Sequence, residues 1–598
     1  MKDFWKMLLA VICGLLIMSL LTFMFIASMI GAASAGSGSK TVLPREGVLD
    51  IDMSKIVLAE QSSEGNISSF SPMSFSKEGQ PSIVGLHDAI EALKTAADDP
   101  SVKYILLRAD GLSSGTATLQ EFRGALAAFR SSGKPVIAYT ESPSTGSYYL
   151  DSVADKVFMT ADHGSNAMLL GLSGRLIFLK DLLDKLGVNV QLIRHGKYKS
   201  AGEMYIRSSA SPENLEQNQV MVSSIWKSFA SEICESRGIS EEKLNSLIDN
   251  LELNFPEDFE KAGLVDALYV RDSLLAKLCD LAVVSDVKDL HLIPFADYVS
   301  VKTAAVKTAG RDEIAIIYAD GNIIDGNSTD NVAGDRFARV IEKVRKEDKV
   351  KAVVLRVNSP GGSVLASSKI KDALDALGKE KPLVASYGDY AASGGYWISN
   401  GCEKIFSNPS TLTGSIGVFG MIPDFSKTAK NVAHVGVTAV NSHAHSDMFS
   451  LTRPFDKAEF DYMQASIEDI YTRFITLVAE GRKLPVERVD EIAQGRVWTG
   501  ADALEIGLVD EIGTLNDAIA YAASLAGFEE GAYAVAAYPK PLTMMEQIMK
   551  MIGQKSEPDE LSILSGTPFA SVAPAVRDVL ESRPARVMAR MDFDIEIR

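Results

Sequence analysis

The chain has 598 residues, 46% of them hydrophobic and 23% charged. That is a globular composition, which excludes a disordered or collagen-like chain, and the length leaves room for roughly two to four domains. A net charge of −18 argues against a nucleic-acid binder, because such proteins present a basic face. Four cysteines without CxxC or zinc-type spacing exclude a disulfide scaffold. Cys13 lies in an apolar tract, and Cys234, Cys279 and Cys402 read as buried free thiols.

The first element is Met7 to Ala33, a run without a charged residue. About 20 apolar residues cross a bilayer as a helix, so this stretch can span. Lys2 and Lys6 precede it, which favours a cytoplasmic N-terminus and an exported remainder. Ala33-Ser34-Ala35 resembles a signal-peptidase site, but the run exceeds the signal core of about 7–15 residues. We therefore read residues 1–35 as a cytoplasmic stub and transmembrane anchor, with the body on the far side of the cell membrane.

The body is written twice. Val102-Lys103-Tyr104-Ile105-Leu106-Leu107-Arg108 recurs as Val350-Lys351-Ala352-Val353-Val354-Leu355-Arg356, and Ala154-Asp155-Lys156-Val157-Phe158 as Cys402-Glu403-Lys404-Ile405-Phe406, both at an offset of 248. Ala262-Gly263-Leu264-Val265-Asp266 returns as Ile506-Gly507-Leu508-Val509-Asp510. The Ser/Gly-rich stretch Gln61 to Ser82 reads as a loop inserted in the first copy. The expected domains are 40–300 and 308–540, followed by a 541–598 tail in which Leu542 to Ile552 has an amphipathic helical pattern. In each copy short β-branched runs alternate with helical periods: Val353 to Val357 and Pro382 to Ser386 as strands, Ile370 to Leu377 as a helix between them. Strand–helix–strand order predicts an α/β fold with parallel sheets and right-handed crossovers. Function in such folds lies in loops at the strands' carboxyl ends.

Two loops of the second copy carry candidate chemistry. Asn358-Ser359-Pro360-Gly361-Gly362-Ser363 is a glycine turn opening a helix, able to aim backbone N–H groups at negative charge; the first copy has Asp110-Gly111-Leu112-Ser113-Ser114 there, without the glycine pair. Tyr390-Ala391-Ala392-Ser393-Gly394-Gly395-Tyr396-Trp397 sets a serine among small residues, with the N–H of Gly394 beside its hydroxyl as an oxyanion donor. At the 248 offset Ser393 aligns with Thr145, so the copies are not equivalent. A tight strand-to-helix turn also explains these glycines without catalysis. A nucleophilic serine needs a base. His443-Ala444-His445-Ser446-Asp447 reads as a polar loop rather than a metal site or triad, and His163 and His195 as isolated surface or satisfied core groups. The other candidate base is a lysine in Arg194-His195-Gly196-Lys197-Tyr198-Lys199-Ser200-Ala201-Gly202, after the strand Val188 to Ile193; the second copy has Asp447-Met448-Phe449 at that place. A lysine serves as base only where burial lowers its pKa from about 10.4 towards neutrality.

Tyr198-Lys199-Ser200-Ala201, the Asn358–Ser363 turn, Ala391 to Trp397, and Asn408-Pro409-Ser410-Thr411-Leu412-Thr413-Gly414-Ser415-Ile416-Gly417 together resemble the signal peptide peptidase A (protease IV) family in its long two-repeat form. The resemblance reaches from the apolar N-terminus to about residue 540. It implies two tandem Clp protease/crotonase-like domains and a Ser–Lys dyad. Ser393 is then the nucleophile, Lys199 the general base, Ser415 the group that holds the lysine amine, and Gly362 and Gly394 the oxyanion hole. It further implies a bowl-shaped homotetramer, no metal or cofactor, and hydrolysis of signal peptides left in the membrane after export. Three rivals stand beside this reading: an acyl-CoA enzyme of the crotonase type, which the anchor and exported location oppose, a non-catalytic peptide-binding membrane scaffold, and a general envelope protease for misfolded proteins. The degenerate Thr145 leads us to expect one site per protomer.

Overall fold

The computed structural model describes residues 18, 24, 43–62, 81–304, 312–329, 331–529, 531–540, 587–591 and 595–596. The expected anchor, apart from Met18 and Met24, lies outside the described residues, as do the amphipathic stretch Leu542 to Ile552 and most of the Gln61–Ser82 loop. No helix among the described residues is long and apolar enough to cross a membrane.

In chain order the first repeat contributes β1 (Gly47–Asp52), β2 (Val102–Arg108), α1 (Thr116–Arg130), β3 (Val136–Thr140), β4 (Lys156–Thr160), β5 (Ser173–Gly174), β6 (Asn189–His195), β7 (Ala267–Tyr269) and β8 (Leu292–Pro294). The second contributes β9 (Glu313–Asp320), β10 (Ile323–Ile324), β11 (Val332–Ala333), β12 (Val350–Ser359), β13 (Gly361–Ser363), α2 (Val364–Gly378), β14 (Leu383–Ala392), α3 (Gly394–Ser399), β15 (Ile405–Ser407), β16 (Leu412–Gly414), β17 (Val418–Asp424), β18 (Val497–Thr499), β19 (Glu511–Ile512) and β20 (Ala534–Tyr538). Two further strands, β21 (Val587–Arg590) and β22 (Ile595–Glu596), close the chain.

The duplication read from the sequence is visible in strand order. One sheet runs β8-β1-β2-β3-β4-β7 with every pair parallel. The other runs β20-β9-β12-β14-β15-β19, element for element the same arrangement and again parallel. Alternate residues of each strand enter opposite cores, as the pleat dictates: Leu49, Ile51, Ile105 and Leu107 on one face, Val48, Tyr104 and Leu106 on the other. Sheets buried on both faces are the parallel α/β pattern. The second copy departs where β14 outruns the Pro382–Ser386 expectation. It continues to Ala392, pairing with β15 through its first half and with β16 through its last residues. This extension carries the chain to Ser393.

A third sheet joins the repeats in the order β11-β10-β13-β21-β17-β6. In it β6 of the first repeat lies antiparallel to β17 of the second over seven residue pairs, His195 opposite Val418 and Asn189 opposite Asp424. The cores also merge, with Ala392, Leu412 and Val497 of the second repeat inside the first repeat's cluster. A buried polar seam completes the contact. Arg356 bonds Glu60 (2.8 Å) and Glu121 (2.8 Å), and all three side chains are essentially inaccessible. Asp389 caps α1 from the opposite repeat, accepting from the Ala117 and Thr118 N–H groups and the Thr118 hydroxyl. Cys234, Cys279 and Cys402 are buried free thiols.

Candidate active site

Ser393 stands where β14 ends and α3 begins, fully buried, with φ 54° and ψ −110°. A non-glycine residue at positive φ costs about 1–2 kcal/mol and is held here by neighbours. Its N–H donates to the Gly414 carbonyl (2.8 Å), and its carbonyl accepts from Trp397 N–H (2.8 Å). The turn therefore fixes the hydroxyl without using it.

Lys199 arrives from the other repeat, on the turn after β6, and is 1% exposed. Its Nζ lies 2.9 Å from Ser393 Oγ and donates to the Ser415 carbonyl (3.1 Å) and hydroxyl (3.0 Å). The sequence separation of 194 residues is closed by the β6–β17 ladder, which brings His195 beside Val418, three residues after Ser415. Ser415 also has positive φ, 48°, and its N–H donates to Arg496 O at 2.7 Å.

The glycines converge on the same point. A methyl group on Gly394 would lie 3.1 Å from the Gly362 nitrogen, and one on Gly361 would lie 2.6 Å from the Gly394 nitrogen. Gly361 takes φ +100°, and this close approach of two backbones leaves no room for a side chain. All five residues expected at the site, Ser393, Lys199, Ser415, Gly362 and Gly394, thus meet within one chain.

Other residues at the site were not expected from the sequence. The Lys199 turn sits in a buried polar frame. Arg194 donates to the Lys199 carbonyl and to Glu203, Glu203 accepts from Ser211 N–H and Asn214, and Gln217 donates to the Tyr198 carbonyl and Ser200. On the opposite side Tyr198 N–H donates to Gln494 O (2.9 Å), and Gly495 lies directly against Lys199. The tail strand β21 fills the cleft between β13 and β17, antiparallel to both. Histidines take no part. His195 stacks on Tyr471 beside Glu468; His445 pairs with Glu459, and Arg453 occupies both Asp447 and Glu459.

Thr145, the counterpart of Ser393, donates through Oγ1 to Gly171 O (2.9 Å) and accepts from Leu170 N–H (3.2 Å). It is a structural tie, so among the described residues the two repeats share a single candidate centre.

Peptidase family S49 matches residues 128–285 and 375–529, one stretch in each repeat. The chain belongs to peptidase family S49. It is 36% identical to Protease 4 of Salmonella typhi over 91% of its own length and 88% of that protein's. Identity with Protease 4 of Haemophilus influenzae is 34%, over 85% of that protein and 87% of this chain. The chloroplastic serine protease SPPA of Arabidopsis thaliana is 31% identical over 79% of this chain and 72% of its own. This S49 chain is accordingly a serine peptidase, and its substrates are peptides.

Proposed function

We propose that Ser393 and Lys199 form the catalytic dyad, on the strength of one observation: a fully buried lysine amine 2.9 Å from a fully buried serine hydroxyl on a strained turn. Burial away from water disfavours an ammonium. A neutral amine has two N–H groups and one lone pair. With the carbonyl and hydroxyl of Ser415 accepting the two N–H groups, the lone pair faces the Ser393 O–H. Ser393 Oγ attacks the peptide carbonyl carbon, and its proton passes to Lys199. The Gly362 and Gly394 N–H groups hold the oxyanion, a contribution worth about 10²–10³ in rate per donor. The C–N bond then breaks, with the lysine returning the proton to the leaving amine. Water, deprotonated by the same amine, releases the acyl group and restores the serine. The scheme needs no metal or cofactor.

The uncharged run Met7 to Ala33 supports a chain anchored in the cell membrane, N-terminus in the cytoplasm and both repeats outside. The family and that placement together favour signal peptides left after export as substrates, with a homotetramer as the working assembly. Ser393→Ala and Lys199→Ala should each lower peptide hydrolysis by about 10⁴-fold or more while the circular dichroism spectrum is retained. Near-normal turnover by either folded variant would remove the dyad. Mass-spectrometric profiling of peptides that accumulate when the gene is inactivated tests the substrate class: an enrichment of envelope-protein fragments over signal peptides would assign it to general proteolysis.

A further inference from the structure

The tail strand β21 is seated as a bound peptide would be. It lies antiparallel between β13 and β17, Gly362 opposite Ala589 on one side and Phe419 opposite Met588 on the other, and Met591 N–H donates to Pro360 O at 3.0 Å. The Ala589 carbonyl oxygen enters the space shared by the two glycines: a methyl on Gly394 would meet it at 3.2 Å and the Gly362 nitrogen at 3.1 Å. With Ser393 as the nucleophile, Ala589 stands in for the residue whose carbonyl is attacked, and Arg590 and Met591 lie on the leaving-group side. That side returns to the first repeat, where β22 pairs antiparallel with β5, Ile595 opposite Gly174 and Glu596 opposite Ser173.

β5 has an ancestry that explains this. The bridge Ser144–Met168 repeats the pair Ala392–Gly414, and at the resulting offset of 246 Ser173 and Gly174 correspond to Phe419 and Gly420, the residues of β17 that pair with the tail in the second repeat. The two edges that receive the tail are thus the same element in its two copies. In the first copy Thr145, standing where the second copy has its serine, ties down Leu170 and Gly171 just ahead of β5.

We infer that the peptide groove runs across both repeats: the second holds the residues before the cut bond, and β5 of the first holds the chain beyond it, by strand addition. This rests on Ser393 being the nucleophile. The substrate class that follows is an extended polypeptide reaching at least seven residues past the cut, the span from Arg590 to Glu596. Shorter leaving segments never reach β5. Each backbone hydrogen bond contributes a few-fold, so a two-residue ladder gives about tenfold.

The test uses the full chain and peptides that share Val-Met-Ala before the cut and carry two, four or eight residues after it. The expected result is a kcat/KM that rises about tenfold between four and eight residues, and a rise that disappears in Ser173→Pro, which breaks the edge. A flat profile in the unaltered chain overturns the inference, and so does an undiminished rise in a Ser173→Pro chain with an unchanged melting temperature. If Ser173→Pro does not fold, calorimetry on the Ser393→Ala chain decides: the synthetic peptide copying residues 587–598 should bind about tenfold tighter than one copying 587–592, and equal affinities overturn the inference. If the Ser393→Ala chain itself cleaves the peptides, the nucleophile assignment fails instead, independently of the length dependence.

Discussion

Gly495 offers a test of how tightly the proposed base is placed, because the atoms nearest a side chain added there all belong to Lys199. A Cβ at this position would stand 2.5 Å from Lys199 Cβ, 2.6 Å from its N and 2.7 Å from its Cα. Ordinary contact begins near 3.4 Å, so Gly495→Ala must push the Lys199 backbone away by about 1 Å. The neighbours cannot absorb this. Tyr198 N–H is bonded to Gln494 O and Gly495 N–H to Ile416 O, and a Cβ on Gly417 would already meet Gly495 Cα at 2.8 Å. Gly495 also takes φ +76°, which adds about 1–2 kcal/mol of strain for alanine. A misplacement of about 1 Å in a catalytic group costs on the order of 10²-fold in rate. We therefore expect Gly495→Ala to lower kcat about 10²-fold with KM nearly unchanged, and to lower stability by about 1–2 kcal/mol, measured by steady-state hydrolysis of a peptide reporter alongside urea unfolding. A folded Gly495→Ala chain with kcat within threefold of the parent would show that the lysine tolerates displacement, and the argument that its position is over-determined would be wrong.

Three further outcomes follow from the same geometry. Ser415→Ala removes one of the acceptors on the Lys199 amine and should reduce kcat by about tenfold, with Ser415→Thr restoring part of it; equal loss in both variants would count against a positioning role for the hydroxyl. A chain ending at residue 586 lacks the strand that fills the cleft, so its KM for a short peptide should fall while kcat holds; an unchanged KM would mean that β21 does not compete with substrate. Burial pushes Glu60 up to about 7 against the lowering pull of Arg356, since one guanidinium cannot neutralise both Glu60 and Glu121. The folded chain then keeps a proton that the unfolded chain releases near pH 4.5, so stability declines as pH rises from about 4.5 to 7, by up to about 3 kcal/mol. Urea midpoints across that window should slope less in Glu60→Gln than in the parent, and parallel slopes would exclude Glu60 as the source.

The sequence was legible where the physics is local. Hydrophobic runs such as Val350 to Arg356 need only a covered sheet, and both copies supply one, so the α/β class and the duplication could be read from periodicity and repeated words. The site residues were legible through resemblance more than through chemistry. Ser393 alone reads as a turn serine and Lys199 alone as one lysine among many, because what distinguishes them is burial and a 2.9 Å approach that only the β6–β17 pairing creates. Gly495 was not legible because its constraint comes from a segment almost 300 residues away. The tail was not legible for a related reason. Val587-Met588-Ala589-Arg590 has no strand signature of its own, and its conformation is set by the two edges that flank it.

With Ser393 and Lys199 as the proposed dyad, the division of labour between the copies requires both repeats. The second holds the serine turn and the proposed oxyanion glycines, and the first holds the lysine on a turn whose Lys199 and Tyr198 carbonyls accept from Arg194 and Gln217, with Arg194 held in turn by Glu203. Any rotation of one repeat against the other would move Nζ away from Oγ, so the contacts that fix their relative position serve the proposed dyad. Two of these lie on the strands that lead directly to the site: Arg356 on β12, four residues before Pro360, and Asp389 on β14, four before Ser393. Both reach across to the first repeat, Arg356 through Glu60 and Glu121 and Asp389 through the start of α1. A buried ion pair adds little net stability compared with apolar packing; its demand for matched geometry adds orientation. The polar seam is placed where an error in orientation would be felt as a lost hydrogen bond between an amine and a hydroxyl.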